Sequence, residues 1–222
     1  MKLNNTTLIS VVGTEKYFNN TVKAVLHCMK CVNFDSVKII SCVPFKSEKI
    51  ECIPIKQINQ IEYCTLLTNH LKDIVDTDFC LTIQSDGFII DGSYWTDEFF
   101  EYDYIGAPWL DMKSKNNVGN GGFSLRSKQF LETSSTFSYR PDIQFQPHIK
   151  PGELPTPEDW FCCVYMYDEM VKNGIKFPSI DLAYQFSVEH PSFFKTFNRS
   201  KIETYKSFGF HGNFNTAGMR LL

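Results

Sequence analysis

The chain has 222 residues, of which 43% are hydrophobic and 21% charged, and its formal net charge is −3. These are ordinary values for a globular protein, so they argue against disorder, and a chain of this length can bury a full core within one domain. The weak negative charge without a basic stripe argues against nucleic acid as a partner, and no run approaches the roughly 18 apolar residues that a transmembrane segment needs.

The first predicted strand covers residues 8–12, an apolar run that ends at Gly13. The sequence turns polar again at residues 13–15 and contains no small-residue cleavage site, which distinguishes this segment from a signal peptide. We therefore expect the protein to stay in the cytoplasm.

A βαβ unit is predicted within the first 43 residues. Residues 22–29 place apolar side chains at helical spacing, with Asn19 or Asn20 as the N-cap, and residues 37–42 form the next strand. Such units build parallel sheets with right-handed crossovers. The same alternation then continues, because residues 63–74 have a helical apolar pattern and residues 79–83 form a further strand.

The second half is less regular, with short strands predicted over residues 104–105, 123–125 and 183–188. No repeat or linker divides the sequence. The predicted fold is therefore one α/β domain over residues 1–222, with a mainly parallel central sheet flanked by helices. Its ligands are expected at the carboxyl ends of the strands.

One long helix is predicted over residues 158–172, with an apolar face and Gly174 as its C′ residue. Thr156 is the expected N-cap and Pro157 the N1 residue. Carboxylates at positions 158 and 159 are favoured there by the helix dipole alone, so their presence does not by itself indicate chemistry.

The eight cysteines are predicted to be free and mostly buried. Cys28 and Cys31 have CxxC spacing, which raises the question of a metal or redox site. There is no second CxxC and no histidine pair at zinc-finger spacing, so we favour buried thiols.

Residues 119–122, GNGG, form a run of small residues that leads into the strand-like alternation of residues 123–126. Glycines there allow a positive φ or a close approach of a ligand to the backbone. The alternative is an ordinary β-bulge or hairpin turn.

Asp86 and His211 are candidate metal ligands. Asp86 follows the strand over residues 79–83, and a carboxylate at the end of a buried strand can hold Mg²⁺ or Mn²⁺. An Asp before Gly87 is also typical of a plain turn. His211 can complete a metal shell, although a histidine among aromatic residues is more often structural.

Taken together, four separated segments resemble the GT-A glycosyltransferases: Gln84-Ser85-Asp86, the GNGG loop, Glu158-Asp159, and His211 in FGFHG. They are similar to that superfamily's DxD motif, glycine loop, xED motif and C-terminal histidine, in the same order. The motifs QSDG, YDYIGAPW, VGNGGFSLRS and PED are also similar to those of a family known mainly as a domain of unknown function. Members of that family are expected to be glycosyltransferases. The resemblance covers roughly residues 6–213. It implies a nucleotide-binding half over about residues 1–105 and an acceptor-side half over about residues 106–222.

This resemblance implies that Asp86 and His211 hold Mn²⁺ or Mg²⁺ and that the donor is a nucleotide-diphosphate sugar. One departure from the family pattern is Gln84, which stands where the DxD motif has its first acid and adds no charge. Metal affinity is therefore expected to depend on bound nucleotide. The donor-site residues implied are Val12, Thr14, Gln84, Ser85, Asp86, Gly121 and Gly122.

By resemblance to the xED motif, Asp159 is the expected catalytic base of an inverting reaction, and Glu158 orients groups around it. Trp109 and Trp160 are candidate sugar platforms, with a core position as the alternative for Trp160. Arg126 is a candidate contact for the diphosphate by its proximity to the glycine loop.

We therefore expect a metal-dependent glycosyltransferase that acts on a hydroxyl acceptor, which can be a glycan, a protein or a small molecule. The main alternative is a nucleotide- or sugar-binding module that has lost catalysis, and Gln84 is the feature that favours it. A Rossmann dehydrogenase has little support because the segment after the first strand lacks G-x-G-x-x-G. A metal phosphohydrolase has little support because acids at ligand spacing are too few.

Overall fold

A computed structural model of the protein describes residues 1–109, 114–145, 150, 152–189 and 206–212. Within these residues the strands are β1 (Lys2–Val12), β2 (Asn33–Ser41), β3 (Glu51–Pro54), β4 (Phe79–Ile83), β5 (Gly87–Ile89), β6 (Tyr104–Gly106), β7 (Phe123–Ser127), β8 (Ser187–Glu189) and β9 (Gly209–His211). The α-helices are α1 (Phe18–Cys31), α2 (Gln60–Thr65), α3 (Lys128–Ser135), α4 (Glu158–Trp160), α5 (Tyr167–Lys172) and α6 (Ile180–Phe186). Two π-helical segments, Leu66–His70 and Phe161–Tyr165, continue α2 and α4.

The central sheet has six strands in the order β3-β2-β1-β4-β7-β6. β1 pairs in parallel with β2 and with β4, and β2 pairs in parallel with β3. β7 runs antiparallel to both of its neighbours, β4 and β6. The predicted α/β fold with a mainly parallel sheet is therefore confirmed, as is the initial βαβ unit.

Helices cover both faces of this sheet because its strands are apolar on both sides. Along β1, Leu8 belongs to one buried cluster and Ile9 to the other, as the twofold period of a strand requires. Val25 on α1 packs into the first cluster. Leu67, in the helical segment after α2, and Phe130 on α3 pack into the second.

The helix predicted over residues 158–172 is present as α4, a π-helical turn and α5, which begins after a break at Met166. Gly174 has the left-handed φ of +86° expected of a C′ residue. The predicted N-cap is wrong: Pro157 precedes the helix, and the Thr156 hydroxyl donates a hydrogen bond to the Ile143 carbonyl instead. The N-cap of α1 is likewise Tyr17 and neither Asn19 nor Asn20, which lie in the first turn of that helix.

A second, three-stranded sheet has the order β5-β9-β8. The strand predicted over residues 183–188 is wrong for most of its length, because residues up to Phe186 belong to α6 and only β8 is extended. The Ser179 hydroxyl accepts a hydrogen bond from the Leu182 N–H and caps this helix, whose buried side chains are Leu182, Ala183 and Phe186.

All eight cysteines are free, as predicted, and five of them are buried. None of the helices in the described ranges is long and apolar enough to cross a bilayer.

Candidate active site

A cavity of about 310 Å³ opens at the carboxyl ends of β1 and β4, where α/β sheets usually bind ligands. Its lining is Val11, Gly13, Thr14, Tyr17, Thr21, Ile58, Asn59, Gln60, Tyr63, Gln84, Ser85 and Asp86. The expected donor-site residues Thr14, Gln84, Ser85 and Asp86 are thus brought together. Val12 is not in this lining: it is fully buried in the core, because alternation along β1 turns it away from the side that Val11 faces.

The cavity contains polar groups that are available to a ligand. The Thr14 hydroxyl is buried and has no hydrogen-bond partner among the described residues. The Tyr63 hydroxyl accepts a hydrogen bond of 3.1 Å from the Gln84 side-chain amide. Since an unpaired buried hydroxyl is costly, the position of Thr14 favours a ligand that pairs with it.

Strand pairing brings His211 beside Asp86 from a position 125 residues further along the chain. The short strands β5 and β9 are antiparallel partners, with Gly87 opposite His211, and the Gly212 N–H donates to the Asp86 carbonyl at 3.1 Å. As a result, Nε2 of His211 lies 3.4 Å from Oδ1 of Asp86 and 3.2 Å from Oε1 of Gln84.

Asp86 and His211 each stabilise the charged form of the other. Burial lowers the pKa of His211, but the carboxylates of Asp86 and Glu189 outweigh burial and raise that pKa to about 9. Burial also raises the pKa of Asp86, and the hydrogen bond from His211 more than reverses this effect, so the pKa of Asp86 is lowered. A metal ion that binds Nε2 would therefore compete with a proton.

These residues fit part of a metal site. Two ligand atoms at right angles on an octahedral Mg²⁺ lie about 2.9 Å apart, and the 3.4 Å between His211 and Asp86 is close to that separation. Over the described ranges, no group of three or more His, Cys, Asp or Glu side chains is arranged to hold an ion. The remaining ligands would have to be Gln84, water or the phosphates of a bound nucleotide.

The glycine loop fits tightly between these groups. A Cβ atom on Gly122 would lie 2.0 Å from Nε2 of His211, and one on Gly121 would lie 2.7 Å from Oε1 of Glu158. The φ angles of Gly121 and Gly122 are not positive, so glycine is required here for close approach and not for a left-handed backbone.

Asp159 faces the glycine loop from the start of α4. Its Oδ2 accepts a hydrogen bond of 2.7 Å from the Gly121 N–H, and its Oδ1 accepts one of 2.7 Å from the Trp160 N–H. Burial and, to a lesser degree, the neighbouring carboxylate of Glu158 raise the pKa of Asp159 to about 7. Asp159 can therefore take up a proton near neutral pH.

Glu158 is paired with Arg126 inside the protein. Nη2 of Arg126 lies 3.0 Å from Oε1 of Glu158, and only 2% and 6% of the two side chains is exposed. Arg126 also donates to the Ser124 hydroxyl and lies over the Tyr104 ring. The expectation that Arg126 contacts a diphosphate is thus wrong, because it is enclosed by its own partners.

Two side chains of the site were not predicted from the sequence to take part in it: Asn120, which lies in the GNGG loop, and Glu189. The Asn120 side chain donates to Oε1 of Glu189 at 2.6 Å and accepts from the Gly122 N–H at 3.1 Å. The same Oε1 lies 3.7 Å from Nδ1 of His211. Glu189 is 69 residues from Asn120 in the chain, so no local pattern could have indicated the contact.

Both candidate platforms keep part of their surface exposed. The Trp109 ring packs against Gly119 in the glycine loop. The Trp160 indole N–H is buried without a hydrogen-bond partner among the described residues. Neither observation tests whether Trp109 or Trp160 binds a sugar, so that role stays a prediction.

A larger cavity of about 560 Å³ lies near Met1 and Cys31, at the amino ends of β1 and β2. Asp91 also lines it, and the Asp91 carboxylate accepts from the Ser93 N–H. None of the groups at Asp86 takes part in this second cavity, so we place the candidate site at the smaller one.

The chain matches the family model described as "Protein of unknown function (DUF5672)" over residues 47–211, and it belongs to that family. Among solved structures it is similar to "Crystal structure of a glycosyltransferase involved in the glycosylation of the major capsid of PBCV-1". The TM-score is 0.54 and the sequence identity 13%, over 98% of this chain and 99% of that one. At that identity the likeness concerns the fold, so the chain has a glycosyltransferase-like fold. No curated protein matches the chain.

Proposed function

We propose that this member of the DUF5672 family is a glycosyltransferase that moves a sugar from a nucleotide-diphosphate sugar to a hydroxyl group. One observation carries the proposal. Asp86 lines the cavity at the carboxyl ends of the parallel strands, and two short strands bring His211 within 3.4 Å of it. A plain turn at Asp86 would not require this long-range pairing.

The donor nucleotide would occupy the 310 Å³ cavity. Pockets that bind small ligands usually start near 300 Å³ and combine apolar walls with a few polar groups. Here Ile58 and Val11 supply apolar surface, and the Thr14 hydroxyl supplies an unpaired polar group. The diphosphate would then point towards Asp86, at the edge of the same cavity.

Mn²⁺ or Mg²⁺ would be held by Asp86 and His211, with Gln84 beside them. When bound, such an ion neutralises charge that develops on a leaving diphosphate. With one carboxylate at this position, the chain supplies fewer anionic ligands than a DxD motif. The ion is therefore expected to bind more tightly with nucleotide than without it.

Asp159 would accept the proton of the acceptor hydroxyl, which gives a reaction with inversion. Each of its oxygens accepts one backbone N–H and keeps a lone pair for a further hydrogen bond. These two bonds also fix the carboxylate against the glycine loop. Glu158 supports this position from inside the protein through its ion pair with Arg126.

A second candidate function is nucleotide or sugar binding without transfer. It is favoured by Gln84 in place of an acid and by the two backbone bonds that already engage Asp159. In this case Asp159 would serve only to hold the glycine loop against α4.

A thermal-shift panel tests nucleotide and metal binding. UDP, GDP, CDP, dTDP and their sugars are each added with and without Mn²⁺. A ligand at 100 times its Kd stabilises the folded state by about 2.7 kcal/mol, which raises the Tm of a chain of this size by roughly 5 to 10 °C. We expect a Mn²⁺-dependent rise with one nucleotide class.

The matched variants are Asp86→Ala and Asp168→Ala. Asp168 is an exposed aspartate paired with Lys115 at the surface, far in sequence from the cavity lining. The rise should disappear in Asp86→Ala and persist in Asp168→Ala. If no nucleotide shifts the Tm of the unmodified protein, the proposed function is wrong.

A further inference from the structure

We propose that Glu189 is a positioning residue for His211, an inference that rests on the proposed function. Glu189 would hold the imidazole through Nδ1, so that the lone pair of Nε2 points towards Asp86 and an incoming metal ion. Asn120 would in turn hold Glu189 in place.

The backbone brings Glu189 and His211 together. They are opposite each other in the parallel pairing of β8 with β9, so their side chains lie side by side on one face of the small sheet. Oε1 of Glu189 is 3.7 Å from Nδ1 of His211, whereas Oδ1 of Asp86 is 3.4 Å from Nε2. The two carboxylates therefore face different nitrogens of one ring.

This arrangement gives Glu189 a role different from that of Asp86. A metal ion at Nε2 requires a neutral ring whose single proton is on Nδ1. A carboxylate opposite Nδ1 favours that tautomer and fixes the orientation of the ring. Because Glu189 faces the other nitrogen, it would not be a ligand of the same ion.

Nδ1 of His211 is available to donate a hydrogen bond to Glu189. It is buried and has no hydrogen-bond partner among the described residues, since 3.7 Å is too long for a hydrogen bond. Glu189 itself is restrained, because Oε1 accepts a hydrogen bond of 2.6 Å from Asn120, a residue that is only 5% exposed. A small movement of the ring when an ion binds Nε2 would bring the Nδ1 proton to Glu189.

Asn120 also connects this pair to the glycine loop. Its side-chain oxygen accepts from the Gly122 N–H, and Gly122 is the residue against which the His211 ring lies. The ring is therefore confined by the loop on one side and oriented by Glu189 through Nδ1. This explains why Asn120 is buried although its side chain is an amide.

The test measures the Kd of Mn²⁺ by electron paramagnetic resonance of the free ion, with and without UDP or GDP. It requires no turnover. Glu189→Ala should weaken Mn²⁺ binding by about 10- to 100-fold, as loss of an outer-shell partner of a histidine ligand usually does. Glu132→Ala, at an exposed position on α3, is the matched control and should leave the Kd unchanged.

Two further readouts distinguish positioning from a merely structural role. Nucleotide binding without metal should be unchanged in Glu189→Ala, because Glu189 does not line the cavity. In ¹H–¹⁵N NMR of the Mg²⁺-bound protein, the Nδ1–H proton of His211 should have the downfield shift of a hydrogen bond to a carboxylate, and this downfield shift should be lost in Glu189→Ala.

The outcomes separate the two proposals. If the unmodified protein binds no Mn²⁺ with either nucleotide, both the metal site and this inference are wrong. If it binds Mn²⁺ and Glu189→Ala has the same Kd, only the inference is wrong. If Glu189→Ala does not fold, Glu189→Met replaces it, because Met has a similar length and no carboxylate to accept from Nδ1, and a Kd weakened by less than about threefold contradicts the inference.

Discussion

Arg126→Met tests whether a buried ion pair holds the acidic residues at the start of α4. Arg126 and Glu158 are 3.0 Å apart, and 2% and 6% of their side chains is exposed. Removal of one partner leaves the other charge buried and unpaired, which costs about 3–5 kcal/mol. For a chain of this size the Tm should fall by about 6–20 °C, since each kcal/mol corresponds to about 2–4 °C.

The assay is thermal and urea unfolding at neutral pH, with two matched variants. In Arg126→Met/Glu158→Gln both charges are absent, so most of the lost stability should return. Arg140→Met removes an arginine whose pair with Asp142 is half exposed, and it should cost less than about 1 kcal/mol. The reasoning is refuted if Arg126→Met loses no more than Arg140→Met, or if the double variant is as unstable as the single one.

Three further predictions concern ligand binding and catalysis. Gly122→Ala places a Cβ atom 2.0 Å from Nε2 of His211, so Mn²⁺-dependent nucleotide binding should be lost while nucleotide binding without metal persists. If calorimetry gives the same Kd of Mn²⁺ for this variant and for the unmodified protein, the prediction is contradicted. Because the pKa of Asp159 is raised to about 7 and a base must be ionised, transfer should rise about tenfold from pH 6 to well above pH 7. Asp159→Asn should lower the rate by about 10²- to 10⁴-fold and flatten that profile, and an unchanged profile would exclude Asp159 as the base. Tyr63→Phe removes the hydroxyl that accepts from Gln84 and should weaken nucleotide binding about fivefold, roughly 1 kcal/mol, by titration calorimetry; an unchanged Kd would mean that this hydroxyl is not used.

The parts of the fold that could be predicted are those with a clear period over several residues. The strand over residues 79–83 was predicted with its correct bounds because four of its five residues are apolar and it lies between polar segments. Its position fixes Asp86 at the carboxyl end of the sheet. The strands β5 and β9, with three residues each, are too short to have a period, so their pairing could not be predicted.

Burial on both faces explains the error at Arg126. All five residues of β7 are buried, since the strand lies between β4 and β6 and is covered on both sides. The polar positions of its alternation therefore do not mark solvent or a ligand. They mark an internal network in which Ser124 and Glu158 accept hydrogen bonds from the Arg126 guanidinium.

The small sheet explains why the environment of His211 was only partly predicted. Resemblance to a family indicated His211 and Asp86, but Glu189 lies in no motif, and the GNGG motif that contains Asn120 did not indicate a partner for its side chain. The contact between Asn120 and Glu189 joins the glycine loop to β8 across 69 residues of sequence, and the contact between His211 and Gln84 spans 127 residues. Such contacts depend on the register of short strands, which the local sequence does not determine.

Release of nucleoside diphosphate from nucleotide sugars tests the central claim most directly. UDP-, GDP-, CDP- and dTDP-linked sugars are incubated with the protein and Mn²⁺, and the free diphosphate is quantified by chromatography. We predict release above the protein-free rate from one nucleotide class, reduced at least about 100-fold in Asp86→Asn and unchanged in Asp168→Asn. The glycosyltransferase account is contradicted if a nucleotide sugar binds but no diphosphate is released above the protein-free rate, with any divalent metal and with glycan or hydroxyl acceptors added. The protein would then be a binding module without catalysis.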